Sequence, residues 1–418
     1  MAQLSDDCFA FGTKPMRIEE AVAQIAERFP LLAGTETVPL HLADGRIAAE
    51  DVFAAHDLPP FANAAVDGYA VRFADLNPET ETILPVSGRL AAGAAAGAAP
   101  PGGAIRIFTG APMPPGADTV FMQEDVRRDG DQVTLPPGLK RGANARPAGE
   151  DLGKGALAIP AGRRLRPQDL ALAAATGQGP IAVRRRLRVA LFSTGNELTE
   201  PGAPLRPGAI HDSNRVLLAT LLTRLGVTVS DLGILRDDPT TLPGHLAEAA
   251  RDHDLILTSG GVSTGEEDHV KAAVEAQGRL MLWRLAIKPG RPVAAGLVAG
   301  TPFLGLPGNP VSSIVCGLLF VVPAIRALLG DPRAGEDRSE PALLGRDMPE
   351  NDGRQDYLRT RLDTAPDRLP VAHPESRQDS SMLSVLGTSE ALLIRPPHAP
   401  PAKTGDPCRI IRLDRRIV

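Results

Sequence analysis

Cysteine is scarce in this chain, and the scarcity narrows its chemistry. Cys8, Cys316 and Cys408 stand far apart and never form a CxxC pair. A disulfide framework and a thiolate zinc site are therefore not expected, and a reducing compartment is. The eight histidines show no HxxxH or HxH spacing, which leaves a His-based metal site without local support. Aromatic residues make up 3% of the chain, too few for base-stacking platforms. A basic excess is also missing. Lys and Arg number 45 against 50 Asp and Glu, a net charge of −5, whereas a general polyanion binder carries a basic footprint. The amino-terminal MAQLSDDCFA has neither a basic nor an apolar leader region, so no signal peptide is expected. The longest apolar run, 314–325, contains Pro323 and falls short of the roughly 20 residues that a bilayer span needs. These absences predict a cytoplasmic protein with no nucleic-acid and no membrane partner.

What is present suggests several domains. At roughly 150 residues per domain, 418 residues make about three. With 42 Gly and 40 Pro, many turns and short strands are expected. Ile18, Val22, Ile25 and Phe29 lie at helical spacing behind Pro15, which predicts an amphipathic packing helix over 15–29. Residues 36–185 read as short strands and turns. In that stretch 120–126 and 132–135 flank Asp129-Gly130, a hairpin signal. The segment 91–103 (AAGAAAGAAPPGG) reads either as a linker or as a surface loop. From about 186 strands alternate with helices: strands over 187–192, 227–235, 255–258 and 303–306, helices over 216–225, 245–251, 270–276 and 311–329. That spacing implies a largely parallel sheet covered on both faces. After about 335 short strands return (357–362, 391–395, 409–413), a small β-barrel or sandwich. The fold class is multidomain α/β plus β.

Ligands of open α/β sheets bind beyond the carboxyl ends of the strands. Four strands here end in polar loops: Ser193-Thr194-Gly195-Asn196-Glu197, Arg236-Asp237-Asp238-Pro239, the stretch from Ser259-Gly260-Gly261 through Ser263 to Asp268, and Pro307-Gly308-Asn309-Pro310. Glycine loops let backbone N–H groups approach phosphate oxygens. Carboxylates beside the same anion would repel it unless a hard cation lies between, and Mg²⁺ takes one or two carboxylates plus substrate phosphate. Lys288 and Arg291, in Lys288-Pro289-Gly290-Arg291-Pro292, supply positive charge. The joint pattern predicts a phosphate-bearing ligand, a divalent metal and phosphoryl chemistry. Each part has a plainer reading: an Asp after a strand commonly caps a helix, and glycine-rich turns are general in α/β folds. Gly261-Val262-Ser263-Thr264-Gly265 also fits the GxSxG elbow of serine hydrolases. The turn is long for an elbow, and Glu266, Glu267 and Asp268 follow where an oxyanion would form.

Taken together with Pro60-Phe61-Ala62-Asn63, Val66-Asp67-Gly68-Tyr69, Ile107-Phe108-Thr109-Gly110-Ala111-Pro112 and Gly149-Glu150-Asp151, these loops resemble the molybdopterin molybdenumtransferase family (MoeA and the gephyrin E domain). The resemblance implies an enzyme that inserts molybdate into adenylylated molybdopterin with Mg²⁺ and releases AMP. It implies a homodimer whose site is shared between subunits, with transient contact to a molybdopterin adenylyltransferase. The domains it implies are 28–54 with 156–184, 55–155, 9–27 with 185–333 as the three-layer α/β molybdopterin-binding domain, and 334–418 as a β-barrel. By matched position it makes Asp67, Thr109, Asp151, Glu197, Asp237 and Asp268 catalytic, with Glu197, Asp237 and Asp268 at the metal. It makes Ser193, Thr194, Gly260, Gly261, Ser263, Lys288, Arg291, Pro307, Gly308, Asn309, Pro310, Arg146 and Ser380 substrate-binding. Ala64, Val66, Asn196, Arg291 and Ser381 depart from residues common in the family. Rival readings are a molybdopterin-binding scaffold on the same fold and a serine hydrolase using Ser263.

Overall fold

In the computed structural model the described residues are 16–262, 269–290 and 292–413. The chain divides into two compact units, one of Thr37–Val183 and one of Met1–Glu36 with Arg184–Val418.

The second unit holds helix α1 (Ile18–Arg28) and a six-stranded sheet with its helices. In α1, Ile18, Ala21 and Ile25 are buried, followed by Phe29, while Glu19 and Glu20 face out; this is the amphipathic face the spacing predicts. The sheet strands are β1 (Arg188–Thr194), β2 (Thr228–Leu235), β3 (Leu255–Ser259), β4 (Gly278–Arg284), β5 (Pro292–Val298) and β6 (Thr301–Leu306). Their spatial order is β2-β1-β3-β6-β5-β4. The first four run parallel, whereas β5 and β4 pair antiparallel at one edge. Those two strands went unread in the sequence: Pro292 and the Ala-Ala-Gly of β5 have low strand propensity. Glycine is required there, because a Cβ at Gly296 would lie 2.2 Å from the Arg279 carbonyl oxygen on β4.

Helices α2 (Ser213–Arg224), α3 (Leu242–Asp252), α4 (His269–Glu275), α5 (Pro310–Cys316) and α6 (Val322–Leu329) complete this part. Ala190, Phe192, Ile256 and Phe303 pack with Leu246 of α3 and Val270 of α4 in one core. Strand alternation sends the equally buried Val189, Leu191, Leu257 and Leu304 to the other face. Both faces are therefore covered.

A π-helical turn (Gly317–Val321) joins α5 to α6, so Pro310–Leu329 is one 20-residue helical stretch. It is the helix expected over 311–329, begun one residue earlier, and it runs through Pro323, which lacks an N–H to donate and sits in the first turn after the π turn. Its length and hydropathy of 2.1 would suit a membrane span, but 89% of it is buried inside the protein, as in a core helix.

Five C-terminal strands, β7 (Glu340–Leu344), β8 (Gln355–Asp363), β9 (Val371–Pro374), β10 (Ala391–Arg395) and β11 (Pro407–Arg412), pair in the order β8-β9-β7-β11-β10. The β8–β10 pairing closes them into a barrel. The unit Thr37–Val183 is β-rich and carries its own apolar clusters, around Ile107 and Val120 and around Val133 and Leu135. Arg127–Asp129 pairs antiparallel with Gln132–Leu135 across Gly130, whose φ is +58°. The hairpin thus forms, with a first arm shorter and later than 120–126. Segment 91–103 is a loop on this unit, and Ala96 and Ala99 pack on its core.

Candidate active site

The carboxyl ends of β1, β3 and β6, with the chain after β2, open into a cavity of about 520 Å³. Ser193, Thr194, Glu197, Asp237, Gly260, Gly261, Pro307, Gly308, Asn309 and Pro310 line it. Four separate strand-end loops are thereby brought to one place. Ser263, Asp268 and Arg291 lie outside the described residues. Lys288 is not among the lining residues, although Gly290 is.

Glycine makes the close approaches. At Gly195 φ is +150°, and a Cβ there would stand 2.6 Å from Glu197 Oε2. The Glu197 carboxylate therefore folds back over a position that only glycine leaves open. A Cβ at Gly260 would meet the Thr194 carbonyl oxygen at 2.5 Å, and one at Gly261 would meet Thr194 Oγ1 at 2.6 Å. The loop after β3 is thus laid directly on the end of β1.

A one-way hydrogen-bond chain runs beneath the cavity. Ser313 Oγ donates to the Pro307 carbonyl at 2.6 Å, and Ser259 Oγ lies 3.4 Å from Ser313 Oγ. Asn214 Nδ2 donates to Ser259 Oγ and to the Gly308 carbonyl, each at 2.8 Å. Two carbonyls that can only accept set the direction of every proton in the chain. Asn309 Nδ2 donates to Ser380 Oγ at 2.8 Å, and Val311 N donates to the Ser380 carbonyl. Ser380 thus reaches Asn309 rather than the cavity wall. The buried guanidinium of Arg359 fixes the loop before Ser380 through Gln378 Oε1 and the Asp379 carbonyl. Several buried polar atoms at the cavity keep no hydrogen-bond partner among the described residues: Ser193 Oγ, Thr194 Oγ1, Asn214 Oδ1 and Asn309 Oδ1.

Asp212 and Asn214 line the cavity too, and the sequence reading missed them. Their signal was a helix start: Asp212 caps α2, its side chain accepting from Arg215 N at 3.1 Å. Arg215 Nε donates to Asp212 Oδ2 at 2.9 Å, and its other nitrogens hold Asp231 and Glu200. Burial would lower this guanidinium, but Asp231, Asp212 and Glu200 outweigh it and raise it. Lys288 Nζ stands 3.8 Å from Asp356 of β8. Burial pushes the Asp356 carboxyl above its ordinary range although Lys288 pulls the other way.

The donors suit a hard cation. Glu197 and Asp237 offer oxygen ligands at one cavity, in line with the one or two carboxylates Mg²⁺ takes beside substrate phosphate. Among the described residues no group of three or more His, Cys, Asp or Glu could hold a metal ion. The third expected acid, Asp268, is not described.

Asp67, Thr109, Asp151 and Arg146 belong to the unit Thr37–Val183. Asp67 Oδ1 accepts from Thr109 N at 2.8 Å and from Thr109 Oγ1 at 2.7 Å. The Thr109 backbone N–H, then its hydroxyl, holds the Asp67 carboxyl below the usual range. Arg146 sits on a short strand paired with Asn63–Ala64, just before Asp67. Asp151 is exposed, its N–H tied to the Leu58 carbonyl.

Three comparisons bear on this arrangement. Residues 16–177 match the family described as the MoeA N-terminal region (domain I and II), 190–327 a probable molybdopterin binding domain, and 341–413 the MoeA C-terminal region (domain IV). The chain is 38% identical over 346 residues to the molybdopterin molybdenumtransferase of Haemophilus influenzae, covering 82% of this chain and 85% of the relative. It is 39% identical over 305 residues to the protein of that name from Nostoc, covering 71% and 70%. A crystal structure of a molybdopterin biosynthesis MoeA protein from Pyrococcus horikoshii superposes with a TM-score of 0.82 at 30% identity, covering 95% of this chain and 99% of that one.

Proposed function

The chain belongs to the molybdopterin molybdenumtransferase family, and from that premise we propose that it inserts molybdate into adenylylated molybdopterin and releases AMP. The observation that carries the reading is the cavity at the ends of the parallel strands. It joins two carboxylates, glycine-lined backbone and buried, unpartnered hydrogen-bonding atoms at one site. An anionic nucleotide conjugate with many polar edges suits such a lining.

In this reading Glu197 and Asp237 hold Mg²⁺, with Asp268 the third acid expected from the resemblance. Bound there, Mg²⁺ would supply positive charge to the phosphoanhydride oxygens. The chain's own groups do the rest. Thr194, Gly260 and Gly261 shape the floor on which the phosphates rest, and Asn309 is held in place by Ser380. Lys288, half-exposed beside Asp356, attracts molybdate to the edge of the site. The relatives described above are named as transferases, which favours this reading over the scaffold and the serine hydrolase. The same family membership supports a cytoplasmic homodimer in which Asp67, Thr109, Asp151 and Arg146 of one copy serve the site of the other. It also supports a transient contact with the adenylyltransferase that supplies the substrate.

A single-turnover assay with adenylylated molybdopterin, molybdate and Mg²⁺ tests the proposal. AMP should appear only when molybdate is present. The Asp237→Ala variant should bind substrate and release little AMP. AMP release that ignores molybdate, or normal turnover by Asp237→Ala, would overturn it.

A further inference from the structure

Asn214 stands out as a polar group whose chemistry is set by its surroundings and left half unused. It is 7% exposed and lines the cavity. Its Nδ2 spends both hydrogens, on Ser259 Oγ and on the Gly308 carbonyl, each at 2.8 Å. The Gly308 carbonyl can only accept, so the amide cannot turn over. The Ser259 hydroxyl accepts from Asn214 and faces Ser313, whose own proton is committed to the Pro307 carbonyl. The network therefore has one direction, and it leaves Asn214 Oδ1 as an oriented acceptor. That oxygen is buried and has no hydrogen-bond partner among the described residues. Asn309 Oδ1 is equally buried and unpartnered among the described residues but has no fixed orientation. Its amide meets only the Ser380 hydroxyl, which can donate or accept.

We propose that Asn214 is a specificity-determining residue: its Oδ1 accepts a hydrogen bond from the 2-amino group of the substrate's pterin, and a ring presenting an acceptor at that position is rejected. The inference rests on the molybdopterin reading of the cavity. An acceptor held by its own hydrogen bonds cannot rotate to suit a mismatched ring, and a site built to bond an N–H discriminates strongly against the analogue lacking it.

The test is competition against adenylylated molybdopterin, with pterin (2-amino-4-oxo) and lumazine (2,4-dioxo) as probes. AMP binding serves as an independent check of the site. The wild-type protein should bind pterin about tenfold or more tightly than lumazine. Asn214→Ala should lose about tenfold in pterin affinity, abolish the preference and keep AMP affinity. Ser313→Ala removes the far end of the chain but leaves the Gly308 carbonyl in place. It should lower the melting temperature and retain the preference, which separates lost recognition from a loosened structure even if Asn214→Ala folds poorly. Equal competition by the two rings in the wild-type protein, no competition by either at millimolar concentration, or an undiminished preference in Asn214→Ala would each overturn the proposal. Loss of both AMP and substrate binding by the wild-type protein would instead remove the functional reading beneath it.

Discussion

At the scale of single residues, the site is built as much by missing side chains as by present ones. Gly195 shows this most directly, since Glu197 Oε2 would lie 2.6 Å from a Cβ there and φ is +150°. Gly195→Ala should displace the Glu197 carboxylate and cut AMP release at least tenfold. Alanine is strained at this φ, so the melting temperature should fall as well, while the Glu197→Gln variant should lose turnover without that fall; unchanged turnover in Gly195→Ala would mean the carboxylate's seat is immaterial. Two buried acids make opposite pH predictions. At Asp254 burial favours the neutral form, but Arg185, which donates from Nη1 and Nη2 at 2.7 Å, and the Arg188 N–H outweigh it, so the carboxyl sits below its ordinary 3.8. Its contribution to stability is present above pH 3.8 and is lost as pH falls through the lowered folded value. At Asp356 burial dominates and the value is raised. Its contribution is present below pH 3.8 and is lost as pH rises through the folded value. Melting curves from pH 3 to pH 7 should therefore show Asp254→Asn falling behind the wild type as pH rises, and Asp356→Asn gaining on it. The same direction in both variants would show that these environments are misassigned. Asp237 and Glu197 were legible from the sequence because strand-end acids form a pattern. Asn214 was not, because its meaning lies in the Gly308 carbonyl, 94 residues away.

At the scale of elements, Arg215 ties three pieces of the cavity wall. It sits in the first turn of α2, grips the cap residue Asp212, reaches Asp231 on β2 and holds Glu200 after β1. Asp212 is 2% exposed, so removing its partner strands a buried carboxylate, whereas Asp231 and Glu200 are half-exposed and can turn to water. Arg215→Met should cost about 3 kcal/mol in urea denaturation, the low end for a broken buried pair because only one partner is trapped. Adding Asp212→Asn should recover part of that loss; strictly additive losses would mean that the two side chains act independently. The four parallel strands were readable because their apolar runs alternate with helices at regular spacing. The antiparallel edge was not. A strand of small residues such as β5 is specified by backbone-to-backbone approach, with Gly278 and Gly296 against the Leu297 and Arg279 carbonyls, and that approach leaves no hydrophobic period to read. The long helix read over 311–329 was legible despite Pro323, because its apolar residues run on past the proline, and the structure carries it from Pro310 to Leu329.

At the scale of the whole molecule, the expected site residues fall in two compact units. Glu197, Asp237 and Lys288 belong to one, Asp67, Thr109, Asp151 and Arg146 to the other. The long gap between them in the chain is what the sequence alone could not bridge; the resemblance bridged it by implying that a second copy supplies the missing half. That implication has a sharp consequence for mixed dimers. Let one chain carry Asp67→Asn and the other Asp237→Asn, each nearly inactive by itself. If each site takes Asp237 from one copy and Asp67 from its partner, the mixed dimer has one site with both acids intact and one with neither. Random exchange at equal amounts makes about half the dimers mixed, so the mixture should regain about a quarter of wild-type AMP release. If both acids come from the same copy, every site in every dimer lacks one of them, and mixing restores nothing. Light scattering on the wild-type chain must first give a mass of two chains. A monomer, or a dimer mixture that stays inactive after verified exchange, rules out the shared site and returns Asp67 and Thr109 to a structural role, the side chains holding each other at 2.7 Å.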